Sequence, residues 1–157
     1  MKKKTSLINN IAQNKKALHD YSISDRFEAG LVLTGSEIKS IRDGKVSIRE
    51  AYVRILGDEI FLINAHISQY SKDSSLDYDP RRTRKLLMHR KEIEGLRGKS
   101  ERRGFTLVPL KIYLKRGKAK LKIGLGKGKK LYDKRKTIKE RDLKRETARM
   151  LKSTKEM

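Results

Sequence analysis

The stretch KAKLKIGLGKG, residues 118–128, combines the pattern of a β-strand with a basic pattern. Its apolar side chains fall on every second position, which is the spacing of a strand with one buried face. Three lysines occupy the opposite face, and three glycines follow them. We therefore predict a strand that packs one face on a core and presents a basic face to solvent. The inward residues are Ala119, Leu121, Ile123 and Leu125, and the outward lysines are Lys118, Lys120 and Lys122.

The run before this strand, residues 105–114, also alternates, and Pro109 within it predicts an edge strand or a bulge. Residues 51–56 and 59–67 predict a hairpin that turns at Gly57 and Asp58. The expected faces are Val108, Leu110, Ile112 and Leu114 in the first run, and Phe61, Ile63, Ala65 and Ile67 in the last.

Two segments show helix signals. Thr34 and Glu37 have the spacing of a capping box, and Gly44 is a stop signal. Residues 89–103 predict a second helix with Ile93 and Leu96 as its buried contacts. Between the hairpin and this helix, residues 68–79 predict a polar loop that ends at Pro80. That loop is expected to present the cations Arg81, Arg82, Arg84 and Lys85.

The first dozen residues have no clear period and are expected to be mobile, while residues 18–27 and 31–33 predict further strands. We predict a mainly β fold, a small closed antiparallel barrel of the oligonucleotide-binding (OB) type with two or three flanking helices. The expected domains are a barrel at 1–126 and a basic C-terminal tail at 127–157. The tail holds 13 Lys and Arg against five Asp and Glu, and we expect it to be disordered when free and helical on a partner.

The whole chain has 41 Lys and Arg against 19 Asp and Glu, a net charge of +22. Such a surplus favours a polyanionic partner, because each cation that meets a phosphate releases a counterion. A membrane surface is also anionic, but no apolar run approaches the length of a membrane span, and no membrane partner is expected. Cysteine is absent, which fits a reducing compartment. The chain is expected to be cytoplasmic and monomeric.

The sequence gives little support for catalysis. His19, His66 and His89 are far apart and lack metal-ligand spacing, so neither a metal site nor a cofactor is expected. Asp77 and Asp79 are typical of a solvated turn, and no matched acid and base identify a catalytic pair. Two other functions remain open from composition alone: a ribosomal or initiation-type protein with a similar barrel, and a small basic ribonuclease.

Five blocks of sequence carry a family resemblance. They are NKKA at 14–17, FEAG at 27–30, EIKSIR at 37–42, DPRRTRKLL at 79–87 and GKKLYDKR at 128–135. In order and spacing they resemble the SsrA-binding protein family, SmpB, over essentially the whole chain. The resemblance implies an OB-type barrel and a non-catalytic role in binding transfer-messenger RNA (tmRNA). It also implies delivery with elongation factor Tu after charging by alanyl-tRNA synthetase, and entry into the decoding centre and empty mRNA channel of stalled 30S subunits.

The resemblance implies roles for two groups of residues. The candidates for binding tmRNA are Asn14, Lys15, Tyr21, Glu28, Lys39, Leu87, Lys120 and Lys122. The candidates for the ribosomal decoding centre are Gly128, Lys129, Lys130, Tyr132, Asp133, Lys134 and Arg135. Two positions depart from the family pattern: Tyr132 stands where many members carry His, and Gly126 where Ala is usual. An aromatic ring at 132 retains stacking but removes a possible imidazolium.

Overall fold

The computed structural model describes residues 8–129 and 131–156, with side chains described at 8–129 and 138–150. The described strands are β1 (Ile8–Gln13), β2 (Tyr21–Leu31), β3 (Val46–Ser47), β4 (Tyr52–Leu56), β5 (Glu59–Ile63), β6 (His66–Ile67), β7 (Arg84–Leu87), β8 (Phe105–Lys115) and β9 (Lys118–Gly128). Seven of them form one sheet in the order β1-β8-β9-β2-β7-β5-β4, and every neighbouring pair is antiparallel. The remaining two strands, β3 and β6, pair with each other.

Four helices accompany the sheet in the described parts of the chain: α1 (Lys15–Asp20), α2 (Gly35–Arg42), α3 (Arg90–Ser100) and α4 (Leu131–Glu156). The mainly antiparallel β architecture with several helices confirms the fold class. The closed barrel is not confirmed, because the described hydrogen-bonded ladder ends at β1 on one side and β4 on the other. The sheet nevertheless curls, since β4 contacts β8.

Strand β9 lies between β8 and β2 and confirms the predicted alternation. Leu121 and Ile123 are fully buried, and Ala119 and Leu125 lie beside them in the main core. The helix contacts are confirmed as well, because α3 buries Ile93 and Leu96 in the same core. The core therefore lies on the inner face of the curled sheet, and the β9 lysines lie on the outer face.

The predicted single face of β8 is wrong. A register shift between Pro109 and Lys111 inserts one residue against β9, so the alternation changes sides at this point. Ile112 lies in the main core, whereas Val108 and Leu110 belong to a separate cluster with Ala17 of α1. The bulge that Pro109 suggested is confirmed, and it accounts for the exchange of faces.

The predicted face of residues 59–67 is wrong for Phe61 and Ile63 but confirmed for Ala65 and Ile67, which are fully buried in the main core. Ile60 and Leu62 are the buried residues of β5, not Phe61 and Ile63. Asn64 then adopts a left-handed backbone conformation with φ of 64°, which ends the strand before β6. Asparagine tolerates this conformation better than most residues, so the chain changes direction here.

Two N-terminal predictions are wrong, because residues 8–12, expected to be mobile, lie in a strand, and residues 18–20, expected in a strand, lie in a helix. Ile8–Gln13 pairs with β8 as β1, and Lys15–Asp20 forms α1. Residues 1–7, which complete the predicted mobile segment, lie outside the described residues. The helix begins because the Asn14 side chain accepts a hydrogen bond from the Ala17 amide at 3.1 Å.

The capping box of α2 is confirmed. Thr34 Oγ1 accepts from the Glu37 amide, and Glu37 Oε1 accepts from the Thr34 amide.

The prediction that the polar loop ending at Pro80 presents Arg84 as a cation at the surface is wrong. Arg84 is fully buried, and its Nε donates to Glu37 Oε2 at 2.5 Å. Burial of a guanidinium requires a paired carboxylate, and Glu37 supplies it.

The long helix α4 begins at Leu131 and ends at Glu156. Its described side chains, at 138–150, are all exposed, and none of them belongs to the buried core. None of the described helices is long and apolar enough to cross a membrane.

Candidate nucleic-acid interface

The outer face of β9 divides into a covered half and an open half. The covered half, which contains Gly124 and Gly126, lies under the small cluster that Ala17 of α1 forms with Val108 and Leu110 of β8. A Cβ at Gly124 would lie 2.9 Å from Leu110 Cδ1, and one at Gly126 would lie 3.0 Å from Tyr21 Cβ. An added Cβ at either position would therefore require the neighbouring Leu110 or Tyr21 side chain to shift. The lysine half has no such cover.

The open half carries an acid among its cations. Glu28 on β2 is the cross-strand partner of Lys122 on β9, and Lys122 is also the partner of Lys111 on β8. In the adjacent row, Lys120 pairs with Tyr113. These positions form a small basic patch of three adjacent strands, with one carboxylate inside it.

Two neighbours hold the Glu28 carboxylate. The Tyr113 hydroxyl donates a hydrogen bond to Oε2, and the Lys115 ammonium lies 3.6 Å from Oε1. The Tyr113 hydrogen bond lowers the pKa of Glu28, and Lys115, Lys122 and Lys120 lower it further against the opposing effect of burial. Glu28 is therefore ionised at neutral pH and accepts hydrogen bonds at its free lone pairs.

An open groove of about 740 Å³ runs beside this patch, between the β2–β9 pair and the connection from β7 to α3. Glu28, Lys120 and Leu87 all line it, so the structure brings together three candidates that are far apart in sequence. Leu87 is 55% exposed, which is unusual for a leucine and leaves its side chain available to a base or ribose. The groove thus offers an acceptor, a cation and an apolar surface within one cleft.

The other candidates lie elsewhere. Asn14 is buried, and its amide also donates to the carbonyls of Ile48 at 3.2 Å and Pro109 at 3.0 Å. Its side chain therefore fixes α1 against the body, and both of its N–H donors are used within the protein. Lys15 is exposed on the first turn of α1, and Tyr21 packs partly on the small cluster at its end. Lys39 is exposed on α2, where its ammonium lies 5.4 Å from the centre of the Tyr70 ring.

The base of the tail is fixed to the end of α1. Gly128 pairs with Tyr21, and the Lys129 amide donates to the Asp20 carbonyl at 2.9 Å. The Lys129 ammonium donates to the Leu18 carbonyl at 3.4 Å. Lys130 lies outside the described residues, and so do the side chains of Tyr132, Asp133, Lys134 and Arg135. The backbone of the last four is helical.

Sequence reasoning missed Tyr113 and Lys115. A signal existed, because alternation from Ile112 places Lys111, Tyr113 and Lys115 on the face opposite the core. Pairing with β9 then brings that face beside the lysines. Among the described residues, no cluster of His, Asp or Glu has the arrangement of a metal site.

Comparison with known proteins identifies a family that the chain matches over most of its length. Residues 11–153 match the family model described as SmpB protein. The SsrA-binding protein of Halalkalibacterium halodurans is 54% identical over 142 residues, which are 90% of this chain and 92% of that protein. The SsrA-binding protein of Bacillus cereus is 54% identical over 147 residues, 94% of this chain and 95% of its own.

A solved structure gives the same result. One chain of the structure described as "tmRNA-SmpB: a journey to the center of the bacterial ribosome" is 48% identical to this chain. It aligns with a TM-score of 0.64 over 76% of this chain and 84% of the solved chain. At this identity the similarity extends beyond the fold.

Proposed function

This chain belongs to the SmpB family, and from that premise we propose that it binds tmRNA and acts in trans-translation on stalled bacterial ribosomes. The part of that RNA which it binds is the tRNA-like domain. The protein is an RNA-binding factor and not an enzyme. The observation that carries this function is the open half of the β9 outer face, where Glu28 and Lys120 line one groove with the exposed Leu87.

The chemistry of the groove suits a folded RNA. Lys120 and Lys122 neutralise phosphates, which fixes the position of the RNA without reading its sequence. Glu28 cannot meet a phosphate favourably, because both are anionic. Its carboxylate accepts hydrogen bonds from base N–H groups or ribose hydroxyls, and Leu87 contacts an apolar face of a base or sugar. The remaining candidates act around this centre, Lys15 and Lys39 by charge, Tyr21 by stacking and Asn14 by fixing α1.

The basic tail has a separate role in this proposal. Its residues enter the decoding centre and the mRNA channel, which is vacant only when the message has ended. Lys129, Lys130, Lys134 and Arg135 meet 30S ribosomal phosphates, Tyr132 stacks on a base, and Gly128 and Asp133 belong to the same segment. The side chains of α4 at 138–150 are exposed, which supports a tail that binds a partner outside the body. We expect this helix to persist on the ribosome, where rRNA would supply the contacts that stabilise it.

Further partners follow from the same role. Elongation factor Tu and alanyl-tRNA synthetase engage through the RNA, the protein acts as a monomer, and the compartment is the cytoplasm. The body, proposed at 1–126, is best described as an OB-type barrel. The curl that brings β4 against β8 supports this description.

Two assays on purified protein test the proposal. The first compares binding of the tRNA-like domain of tmRNA with a tRNA and a ribosomal RNA fragment of equal length, by fluorescence anisotropy at moderate salt. Preference for the tRNA-like domain is expected. Equal binding of all three would favour a general ribosomal RNA-binding protein, and cleavage of the labelled RNA would show a ribonuclease.

The second assay separates the body from the tail. A chain that ends before Gly128 is expected to bind the tRNA-like domain almost normally and to lose peptide tagging on ribosomes stalled at a truncated message. Tyr132→Ala in the full chain should show a milder form of this division. Equal loss of binding and tagging would place the tail in the primary RNA site and contradict the proposed division.

A further inference from the structure

We propose that Tyr113 is a positioning residue for RNA recognition, whose phenol hydroxyl holds the Glu28 carboxylate in the single orientation that the RNA reads. This inference rests on the RNA-binding role proposed above for Glu28. It adds a residue on a third strand, β8, which does not need to contact the RNA itself.

The geometry assigns one protein partner to each carboxylate oxygen. Tyr113 donates to Oε2, and Lys115 lies 3.6 Å from Oε1. An ionised carboxylate has about four acceptor positions, so these two neighbours leave about half of them for a ligand. The Glu28 side chain is 33% exposed and lines the groove, so the free positions lie where an RNA can reach them.

A carboxylate in this place needs a directional partner. Three ammonium groups, those of Lys115, Lys120 and Lys122, attract Glu28. An ammonium on a flexible stem attracts from many directions, so exchange among the three would leave the acceptor positions undefined. A hydroxyl on a rigid ring defines one direction. Tyr113 therefore keeps the Glu28 carboxylate in one orientation in the free protein and prevents it from turning toward one lysine or another.

Tyr113 is itself well fixed. It is 3% exposed, and the ammonium groups of Lys111 and Lys122 lie 5.5 and 5.8 Å from the centre of its ring. Burial and the adjacent Glu28 raise the pKa of Tyr113 well above its usual range, so its hydroxyl remains a proton donor at physiological pH. The ring packs between the lysines while the hydroxyl points to the acid, so removing the oxygen alone separates positioning from packing.

A double-mutant cycle on the full chain tests the inference. Tyr113→Phe, Glu28→Gln and the double variant are compared with the unmodified protein for affinity to the tRNA-like domain at fixed salt. Tyr113→Phe is expected to weaken binding about tenfold, the cost of a lost hydrogen bond to a charged group. The double variant should bind no more weakly than Glu28→Gln, because Tyr113 acts only through Glu28.

A matched control uses a second phenol, the partly buried Tyr78. Tyr78 donates to the Ile67 carbonyl at 2.5 Å and lies outside the groove, so Tyr78→Phe removes an equivalent hydroxyl without touching Glu28. Its RNA affinity should stay unchanged. Carboxyl-carbon NMR supplies a readout that a packing effect would not move: in Tyr113→Phe the titration of Glu28 should shift to higher pH, with Lys115, Lys120 and Lys122 still in place.

Each outcome is decisive. Additive losses in the cycle, normal binding by Tyr113→Phe, or an unshifted Glu28 titration would overturn the positioning role and leave the proposed function intact. Normal binding by Glu28→Gln would overturn both this inference and the role of Glu28. A tenfold loss that disappears in the Glu28→Gln background would support both.

Discussion

Glu37 and Glu28 are both acids surrounded by cations, yet one lies inside the protein and the other at its surface. Glu37 is 1% exposed and binds Arg84 and Arg82, each at 2.5 Å, together with the Thr34 amide at 3.0 Å. Glu28 is partly exposed and has a phenol and one ammonium as its neighbours. Glu37 is buried and is bonded by donors of the protein at both oxygens, whereas Glu28 is partly exposed and keeps acceptor positions free for a ligand.

The difference shows what an acid can do in a chain of net charge +22. Burial alone would raise the pKa of Glu37, but the Thr34 amide and the two guanidinium groups outweigh it and the pKa is lowered. Glu37 therefore joins α2 to the segment around β7 and stabilises the fold. Glu28 instead gives a basic surface one position that rejects phosphate and accepts a base or ribose. The first acid supports the fold, and the second supports specificity.

The largest effect is expected on removing Glu37. Glu37→Gln leaves Arg84 fully buried without a counter-charge, and breaking a buried pair in this way costs about 3–5 kcal/mol. The free energy of unfolding should fall by that amount in urea denaturation. The matched variant Glu94→Gln removes an exposed acid paired with Arg90 at 3.5 Å, and its effect should stay below about 1 kcal/mol. Similar losses in the two variants would mean that the buried Glu37–Arg84 pair stabilises the fold no more than an exposed pair does.

The next effect separates the two arginines that bind Glu37. Arg84 is fully buried and also donates to the carbonyls of Ala65, Arg82 and Pro80, whereas the Arg82 side chain is 42% exposed. Arg84→Met should cost about 2–3 kcal/mol, since it leaves a buried carboxylate and several carbonyls with fewer partners. Arg82→Met should cost about 1 kcal/mol or less because solvent screens its pair. Urea unfolding of both variants measures the difference, and a reversed order would contradict it.

This comparison also shows how far the sequence predicts the structure. The capping box at Thr34 and Glu37 is a local pattern, so it was visible in the sequence and is confirmed. The pairing of Glu37 with Arg84 spans 47 residues, and no local pattern encodes it. The residues after Pro80 therefore looked like a run of free cations, although one of them is a core residue.

The strands show the same limit. Alternation predicted the buried face of β9 correctly, because that strand has no irregularity among its inward residues. In β8 one inserted residue near Pro109 exchanges the faces, and in the hairpin Asn64 ends the strand early. The groove depends on pairing among β2, β8 and β9, so Tyr113 could be found only once the order of the strands was known.

A smaller effect on stability and a clear effect on binding are expected at Glu28. Glu28→Gln keeps the side-chain shape and makes the protein more positive, so charge attraction alone would tighten RNA binding. We expect instead about a tenfold loss of affinity for the tRNA-like domain, because an amide offers one acceptor oxygen where the carboxylate offers two. Unfolding free energy should change by less than about 1 kcal/mol. Tighter specific binding by this variant would show that Glu28 does not read the RNA.

The smallest expected effect is the response of the two acids to pH. Both pKa values are lowered in the folded protein, so each acid contributes stability that is present above the unfolded value and is lost as pH falls through the folded value.

The unmodified protein should therefore keep its stability from pH 7 to about pH 5 and lose it progressively below about pH 4.5. Glu28→Gln should show a slightly shallower loss in this acid range, because one of the contributing carboxylates is gone, and near neutral pH its curve should be equally flat but lower by less than about 1 kcal/mol. Urea unfolding at half-unit pH steps measures the two curves. If Glu28→Gln lost stability more steeply than the unmodified protein on acidification, the carboxylate would have to be destabilised by the fold, and the hydrogen bond from Tyr113 could not be holding it in its charged form.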